Sequence, residues 1–452
     1  MHRSTDPFEY VGYQVHPESS RLVCRYRIGA EEFVEEFGFP AGGDWGSDAA
    51  AEAARWLFLL AGVSYYKTSA PQVIDLGDVP VSDEDRAFLR DYYLHGLGEF
   101  AYRLREHHPD AFPDGLDLSD LALVGGRTPT RPATPPTPRT GRRPLIPFGG
   151  GLDSIVSVAM LAGRVDDPAL FIVNRPGDRF EAIETPAAQT GLPIVRAERA
   201  IDPKVLQSRE RGYLNGHVPV TGIISAMGVL AASLFGYDAL VMSNEWSSSS
   251  ATLTLSDGRE VNHQYSKSAD FERAFAARLQ ADGLPDYFSL LRPFTELWIA
   301  RYFAEHAHDY LASFRSCNRS FAIDPTKRVD HWCGVCDKCA FIDLIVSPFV
   351  STEAMSAVFG GNEPLQNPEL ASAFEQLMGL DTDLKPWECV GDVVESRVAM
   401  RLIAERDDRA TALVEALSGR AAQFDDPAAD ALLVPVSDHG IPERYAALID
   451  LG

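Results

Sequence analysis

Apolar and polar positions alternate along Leu22, Cys24, Tyr26 and Ile28, the period of a half-buried strand. Phe33 to Phe37 repeats the pattern close enough to form a hairpin with it. Ser47-Asp48 reads as the cap of a helix running through Leu60, and Ser82-Asp-Glu-Asp as the cap of a longer one through His107. Together these predict a small α+β domain over residues 1–124. Thr, Pro and Arg then dominate, in a segment that cannot bury a core and reads as an extended linker over residues 125–144. From Leu145 the pattern changes. Short buried strands at Leu145–Phe148, Ala169–Val173, Leu192–Val195 and Ala239–Ser243 alternate with apolar-periodic helices at Ile155–Leu161 and Gly222–Phe235. This predicts an α/β fold with a doubly wound parallel sheet over residues 145–345, its ligand at the carboxyl ends of the strands. After Pro348 the chain reads as largely helical, giving a helical C-terminal region over residues 346–452.

The first of these strands leads into Gly149-Gly150-Gly151-Leu-Asp153-Ser154. Glycines let backbone N–H groups approach an anion, and the N-terminus of the following helix adds its positive dipole end. An ordinary tight turn is the plainer reading, but strand, glycines, Asp-Ser and helix fall in register for a phosphate cradle. The run lacks the Lys of a Walker loop. It resembles the PP-loop of the ATP pyrophosphatases, Ser-Gly-Gly-x-Asp-Ser, with Gly149 standing where that family has Ser. The resemblance implies a PP-loop ATP pyrophosphatase core that binds the pyrophosphate end of ATP through Gly149, Gly150, Gly151 and Ser154. Asp153 is open between a Mg²⁺ ligand and a helix cap.

The formal net charge of −24 argues against a broad nucleic-acid surface. Met1-His-Arg-Ser-Thr-Asp-Pro has no apolar core, so no signal peptide is expected. The long apolar stretch Thr221–Ser243 is broken at Gly236-Tyr-Asp238, as a buried helix, a turn and a buried strand would be. A cytoplasmic chain that does not engage membranes is therefore expected. In that setting six cysteines point to metal or thiol chemistry. Cys317 with Cys333-Gly-Val-Cys336-Asp-Lys-Cys339 offers four thiolates at knuckle spacing, which suits a closed, structural Zn²⁺ site. Cys24 and Cys389 stand outside any motif and read as small buried apolar residues.

A PP-loop upstream of this cluster resembles the 7-cyano-7-deazaguanine synthases. The intervening runs Ser243-Asn-Glu-Trp-Ser-Ser-Ser-Ser250, Asn262-His-Gln-Tyr-Ser-Lys-Ser268, Ser316-Cys-Asn-Arg319 and Trp332–Cys339 resemble more closely the MurL-type UDP-N-acetylmuramoyl-L-alanyl-L-glutamate epimerases. That resemblance spans nearly the whole chain. It implies an isomerase of peptidoglycan synthesis. ATP and Mg²⁺ would activate the α-carboxylate of the terminal L-Glu of UDP-MurNAc-L-Ala-L-Glu as an acyl adenylate. The Cα proton would then be lost and returned on the other face, and hydrolysis would give D-Glu and AMP.

Roles follow for particular residues. His263 is the first candidate for proton transfer, its ordinary pKa lying near neutrality, and His217 a weaker one. Lys267 suits the phosphates or the adenylate, and Glu245 suits Mg²⁺ or the substrate. Asn174 ends a strand where adenosine would rest. Arg315 and Arg319 could clamp carboxylates or phosphates. His263, Tyr265 and Lys267 would share one side of an extended segment, which would put Tyr265 at the substrate. Two other readings stay open: a PP-loop enzyme of the deazaguanine or tRNA-modification type, and a non-catalytic zinc-stabilised nucleotide-binding module.

Overall fold

The computed structural model describes residues 3–129, 139–322, 324–380, 384–436 and 438–449. Residues 130–138 of the expected linker lie outside them. Among the described residues twelve strands occur in chain order: β1 Phe8–His16, β2 Arg21–Ile28, β3 Glu31–Gly38, β4 Val73–Asp75, β5 Ala122–Val124, β6 Pro144–Pro147, β7 Ala169–Asn174, β8 Ile194–Ala200, β9 Ala239–Met242, β10 Leu253–Thr254, β11 Glu260–Val261 and β12 Asp286–Ser289. β10 and β11 form a small ribbon, and the other ten form one sheet in the order β12-β9-β6-β7-β8-β3-β2-β1-β4-β5.

The half from β12 to β8 is all parallel. Within it the chain starts in the middle at β6, steps outward to β7 and β8, then returns to the other side for β9 and β12. That reversal is the doubly wound topology, and it opens a crevice between the carboxyl ends of β6 and β9. β3 joins this half antiparallel to β8, with Phe37 opposite Arg199. The hairpin of β2 and β3 and the long β1 extend the sheet further. Residues 8–124 therefore share a sheet and a core with the chain that follows.

Alternation along the strands sorts the apolar side chains onto two faces. Leu145, Ala169, Phe171, Leu240, Met242 and Tyr287 join the core beneath the helices Asp48–Ala61, Asp83–Gly96, Val220–Phe235 and Ala269–Ala281. Their neighbours Ile146, Leu170, Ile172, Val241 and Phe288 join a second core beneath Leu152–Leu161, Glu296–His306, Asp337–Val346 and the C-terminal helices. Strands buried on both faces read as unbroken apolar runs, which is why the parallel half is legible in the sequence.

The caps behave as their residue types dictate. Ser47 Oγ accepts from the Ala50 N–H at 3.2 Å, and Ser82 with Asp85 forms a reciprocal capping box. The helix expected from Ser82 through His107 is two, Asp83–Gly96 and Gly98–His107. Gly-Leu-Gly is a weak helix former, and Gly96 packs so tightly on Pro219 that a Cβ there would lie 2.6 Å from the ring. The strand expected at Leu192–Val195 runs instead from Ile194 to Ala200, its polar half pairing with β7 and β3. β1 carries no clear alternation; it is irregular between Tyr10 and Gly12. The apolar stretch from Thr221 is a helix, a left-handed turn at Gly236 and β9. Among the described residues no helix is long and apolar enough to cross a membrane.

Candidate active site

A cavity of about 450 Å³ opens at the switch point. Its walls come from the ends of three parallel strands: Pro147 to Gly149 and Gly151 at the end of β6, Phe171 and Val173 on β7, and Met242 to Asn244 at the end of β9. Thr221 and Ile224, from the start of a buried helix, close one side. Polar groups arrive from four later segments through Lys267, Ser316 and Asn318, Lys338, and Glu388 with Cys389.

The glycine turn is built for its conformation. Gly150 holds φ +75°, and a Cβ there would run into the Ala182 carbonyl oxygen and sit 3.1 Å from Ile183 Cα. A Cβ at Gly149 would meet nothing within 4 Å, so its place is open to the cavity. Gly151 caps the helix Leu152–Leu161 without a side-chain acceptor. The first N–H groups of that helix are thereby left for a ligand. Ser154 Oγ donates to the Gly151 carbonyl at 3.1 Å, and the Arg315 N–H donates to the Gly150 carbonyl at 2.9 Å. The second bond ties the turn to the segment carrying Cys317.

Charge is concentrated around this cavity. Asp153 is pushed up to about 7, by burial first and by Glu245 next, against Lys338 and Lys267. Burial with Asp153 and Glu245 also holds the Glu296 carboxyl well above its usual range. Lys267 Nζ lies 3.2 Å from Cys389 Sγ and 3.2 Å from Gln264 Oε1. Lys338 Nζ donates to the Cys389 carbonyl. Burial opposes ionisation of Cys389, but Lys267, a hydrogen bond from His263, and Lys338 outweigh it and bring the thiol down to about 6. His263 Nδ1 meets Glu99 Oε2 at 2.5 Å, and its ring lies 4.4 Å from that of His217. Burial would lower His263, yet Cys389 and Glu99 raise it to about 9. His217 is driven down to about 4 by burial and by His263. At neutral pH the pair is thus an imidazolium and a neutral ring.

Cys317, Cys333, Cys336 and Cys339 bring their sulfurs within 4.8 Å of one another. Sγ of Cys339 lies 3.6 Å from that of Cys333 and 3.5 Å from that of Cys336. Sulfurs bonded tetrahedrally to zinc at ~2.3 Å would be roughly 3.8 Å apart, so the cluster could close on such a metal with little movement.

The expected site residues divide. Gly149, Gly151, Asp153, Ser154 and Lys267 line the cavity, and Gly150 shapes the turn from behind. Glu245 is buried next to the lining residue Asn244. Asn174 ends β7, buried and held by Arg196. Arg315 is half-buried with an unpartnered Nε, and Arg319 is exposed. The extended segment expected for His263, Tyr265 and Lys267 is instead a 3₁₀ turn over Tyr265–Lys267. The turn rotates Tyr265 away to pack against His95 and Phe271, while Lys267 faces the cavity. Cys389 is half-buried in a polar wall and is not the small apolar residue expected. Lys338 is a further site residue that motif reading misses, although it sits inside the Cys336-Asp-Lys-Cys339 run, in a chain with six lysines. Asn244 and Asn318 also lie inside runs quoted above without being singled out, and no motif marks Glu388.

The MurL N-terminal domain family model matches residues 1–290, and the MurL C-terminal domain model matches residues 313–431. A UDP-N-acetyl-alpha-D-muramoyl-L-alanyl-L-glutamate epimerase from Xanthomonas oryzae pv. oryzae is 38% identical over 386 residues, covering 83% of this chain and 80% of the relative. Proteins of the same name from Salinispora tropica and a Micromonospora species are each 36% identical. The first match covers 98% of this chain and 95% of the relative, and the second 98% of both. No solved structure matches the chain.

Proposed function

Because the chain belongs to the MurL family, we propose that it inverts the terminal L-Glu of UDP-MurNAc-L-Ala-L-Glu to D-Glu, with ATP as co-substrate, in the supply of peptidoglycan precursors. The observation that carries this reading beyond the relatives' names is the cavity at the switch point. It joins a glycine turn and helix N-terminus on one side to two lysines and a thiol on the other. An anionic nucleotide and an acidic substrate meeting at one place need those N–H donors and those two cations.

In this reading the core is that of the PP-loop ATP pyrophosphatases. The pyrophosphate end of ATP rests on the N–H groups of Gly149 to Asp153 and on the Ser154 hydroxyl, with Asn174 near the adenosine. Lys267 and Lys338 draw the α-carboxylate of the substrate toward the α-phosphorus. Carboxylate oxygen attacks, pyrophosphate leaves, and an acyl adenylate remains. Arg315 is the better placed of the two arginines to hold an anion, since it is tied to Gly150. Asp153 and Glu245 offer hard oxygen donors that would hold Mg²⁺, which supplies charge neutralisation on the phosphates. The cysteine cluster would hold structural Zn²⁺ and so fix the Cys317 segment against the glycine turn.

Adenylation is what makes inversion feasible. A free carboxylate opposes a carbanion at Cα, whereas the adenylate removes that charge and creates a carbonyl able to accept an enolate. Each 1.36 kcal/mol removed from the barrier gives roughly a tenfold rate gain. Donors aimed at the enolate oxygen lower it further.

The test is an incubation of the zinc-loaded chain with ATP, Mg²⁺ and UDP-MurNAc-L-Ala-L-Glu in D₂O. AMP, pyrophosphate and D-Glu deuterated at Cα are the expected products. AMP without inversion would keep a carboxylate-activating enzyme but reject the epimerase. No nucleotide turnover would reject both.

A further inference from the structure

The epimerase reading leaves the Cα base unassigned, and the residue expected for that task is poorly suited to it. His263 is absent from the cavity lining and carries its proton at neutral pH, held between Glu99 and Cys389. Cys389 does line the cavity, on the wall shared with Lys267 and Lys338. It also lies outside the four-cysteine cluster, so metal binding does not claim its sulfur.

Two independent features mark this cavity as a place for a reacting carbonyl. The first is the charge set around the sulfur: the buried Glu99 carboxylate orients His263, the His263 imidazolium favours the thiolate, and the Lys267 ammonium lies 3.2 Å from Cys389 Sγ. Such a setting keeps a thiolate poised. The second is Asn244, only 5% exposed and part of the same lining, whose Nδ2 has no hydrogen-bond partner. A buried amide N–H without an acceptor is costly unless a ligand oxygen completes it.

We propose that Cys389 is the base that removes the Cα proton of the activated glutamyl residue, and that Asn244 donates to the enolate oxygen formed. The proposal rests on the epimerase reading. Sγ takes the proton as the Cα–H bond breaks. That electron pair becomes the Cα–C π bond, and the carbonyl π pair moves onto oxygen. A solvent-exchangeable acid on the opposite face then protonates Cα, the carbonyl re-forms, and the Cys389 thiol returns its proton to water. One proton leaves and one arrives in each turnover. His263 and Lys267 are positioning residues that hold the thiolate.

The test compares the zinc-loaded wild type with Cys389→Ala and Cys389→Ser in D₂O. The pyrophosphate burst and deuterium wash-in at Cα are read separately, starting from the L-Glu and from the D-Glu diastereomer. The expected result is a burst within about threefold of wild type, with wash-in at least 100-fold slower from one or both diastereomers. Loss from one diastereomer alone assigns Cys389 to one face of a two-base site; loss from both assigns it to both. Wash-in within threefold of wild type in either variant would overturn the proposal. So would loss of the burst in a folded variant, which would move Cys389 to the adenylation step. A wild type giving neither burst nor wash-in removes the epimerase reading itself, and the base assignment with it.

Discussion

Gly150 gives the sharpest test of the glycine turn. Its φ of +75° puts an alanine in the left-handed region, at a cost of roughly 1–2 kcal/mol. The new methyl would also overlap the Ala182 carbonyl oxygen and press on Ile183 Cα and Pro186 Cγ, each 3.1 Å away. Overpacking of that kind adds roughly 1–3 kcal/mol. The sum is a destabilisation of roughly 2–5 kcal/mol for Gly150→Ala, or an equivalent shift of the turn. Because the Gly150 carbonyl accepts the Arg315 N–H at 2.9 Å, a shifted turn also displaces the segment beside Cys317. ATP affinity should then fall at least tenfold in a calorimetric titration, and the urea midpoint should drop. Gly149→Ser is the matched control. No atom lies within 4 Å of its Cβ position, so the PP-loop serine should be accepted within about 0.5 kcal/mol, with ATP binding equal or tighter. Gly150→Ala with unchanged stability and ATP affinity would refute the reasoning.

Three further outcomes are expected. Each chain should carry one zinc by elemental analysis; Cys336→Ser should lose it, cost at least about 3 kcal/mol in unfolding, and weaken ATP binding. Arg199 Nε donates to Glu35 Oε1 at 2.6 Å where β3 meets β8, both groups buried. Arg199→Met should therefore cost roughly 3–5 kcal/mol in urea unfolding by leaving Glu35 unpaired; a loss below about 1 kcal/mol would dismiss the pair, and adding Glu35→Gln should recover much of it. The third outcome concerns pH. His263, raised from 6.5 to about 9, contributes stability that is whole below pH 6.5 and lost as pH rises through about 9. Cys389, lowered from 9.0 to about 6, contributes stability that is whole above pH 9 and lost as pH falls through about 6. With Glu99, Lys267, Lys338 and His217 around them, the two contributions offset each other and leave stability nearly level from pH 6.5 to 9; Cys389→Ala, which removes the rising one, should leave stability falling with pH across that window in thermal unfolding.

What is legible in the sequence is what depends on local periodicity. β6, β7 and β9 are buried on both faces, so they appear as short apolar runs, and the Gly149–Ser154 turn between strand and helix is contiguous. Four cysteines announce themselves because metal-ligand spacing is also local. The seam between β3 and β8 is not local: it joins residues 36–38 to 198–200, and its polar faces break the alternation that would reveal it. Tyr265 escapes a reading by alternation because a 3₁₀ turn and an extended strand carry the same three residues to different sides. Cys389 is the strongest case. It belongs to no motif, and nothing near it in sequence forms an acid relay. Its surroundings come from Glu99, His263, Lys267 and Lys338, which are scattered along the chain and meet only in the fold. A thiol takes its chemistry from the charges packed around it, so the residue that spacing reads as inert is the one the fold has most changed.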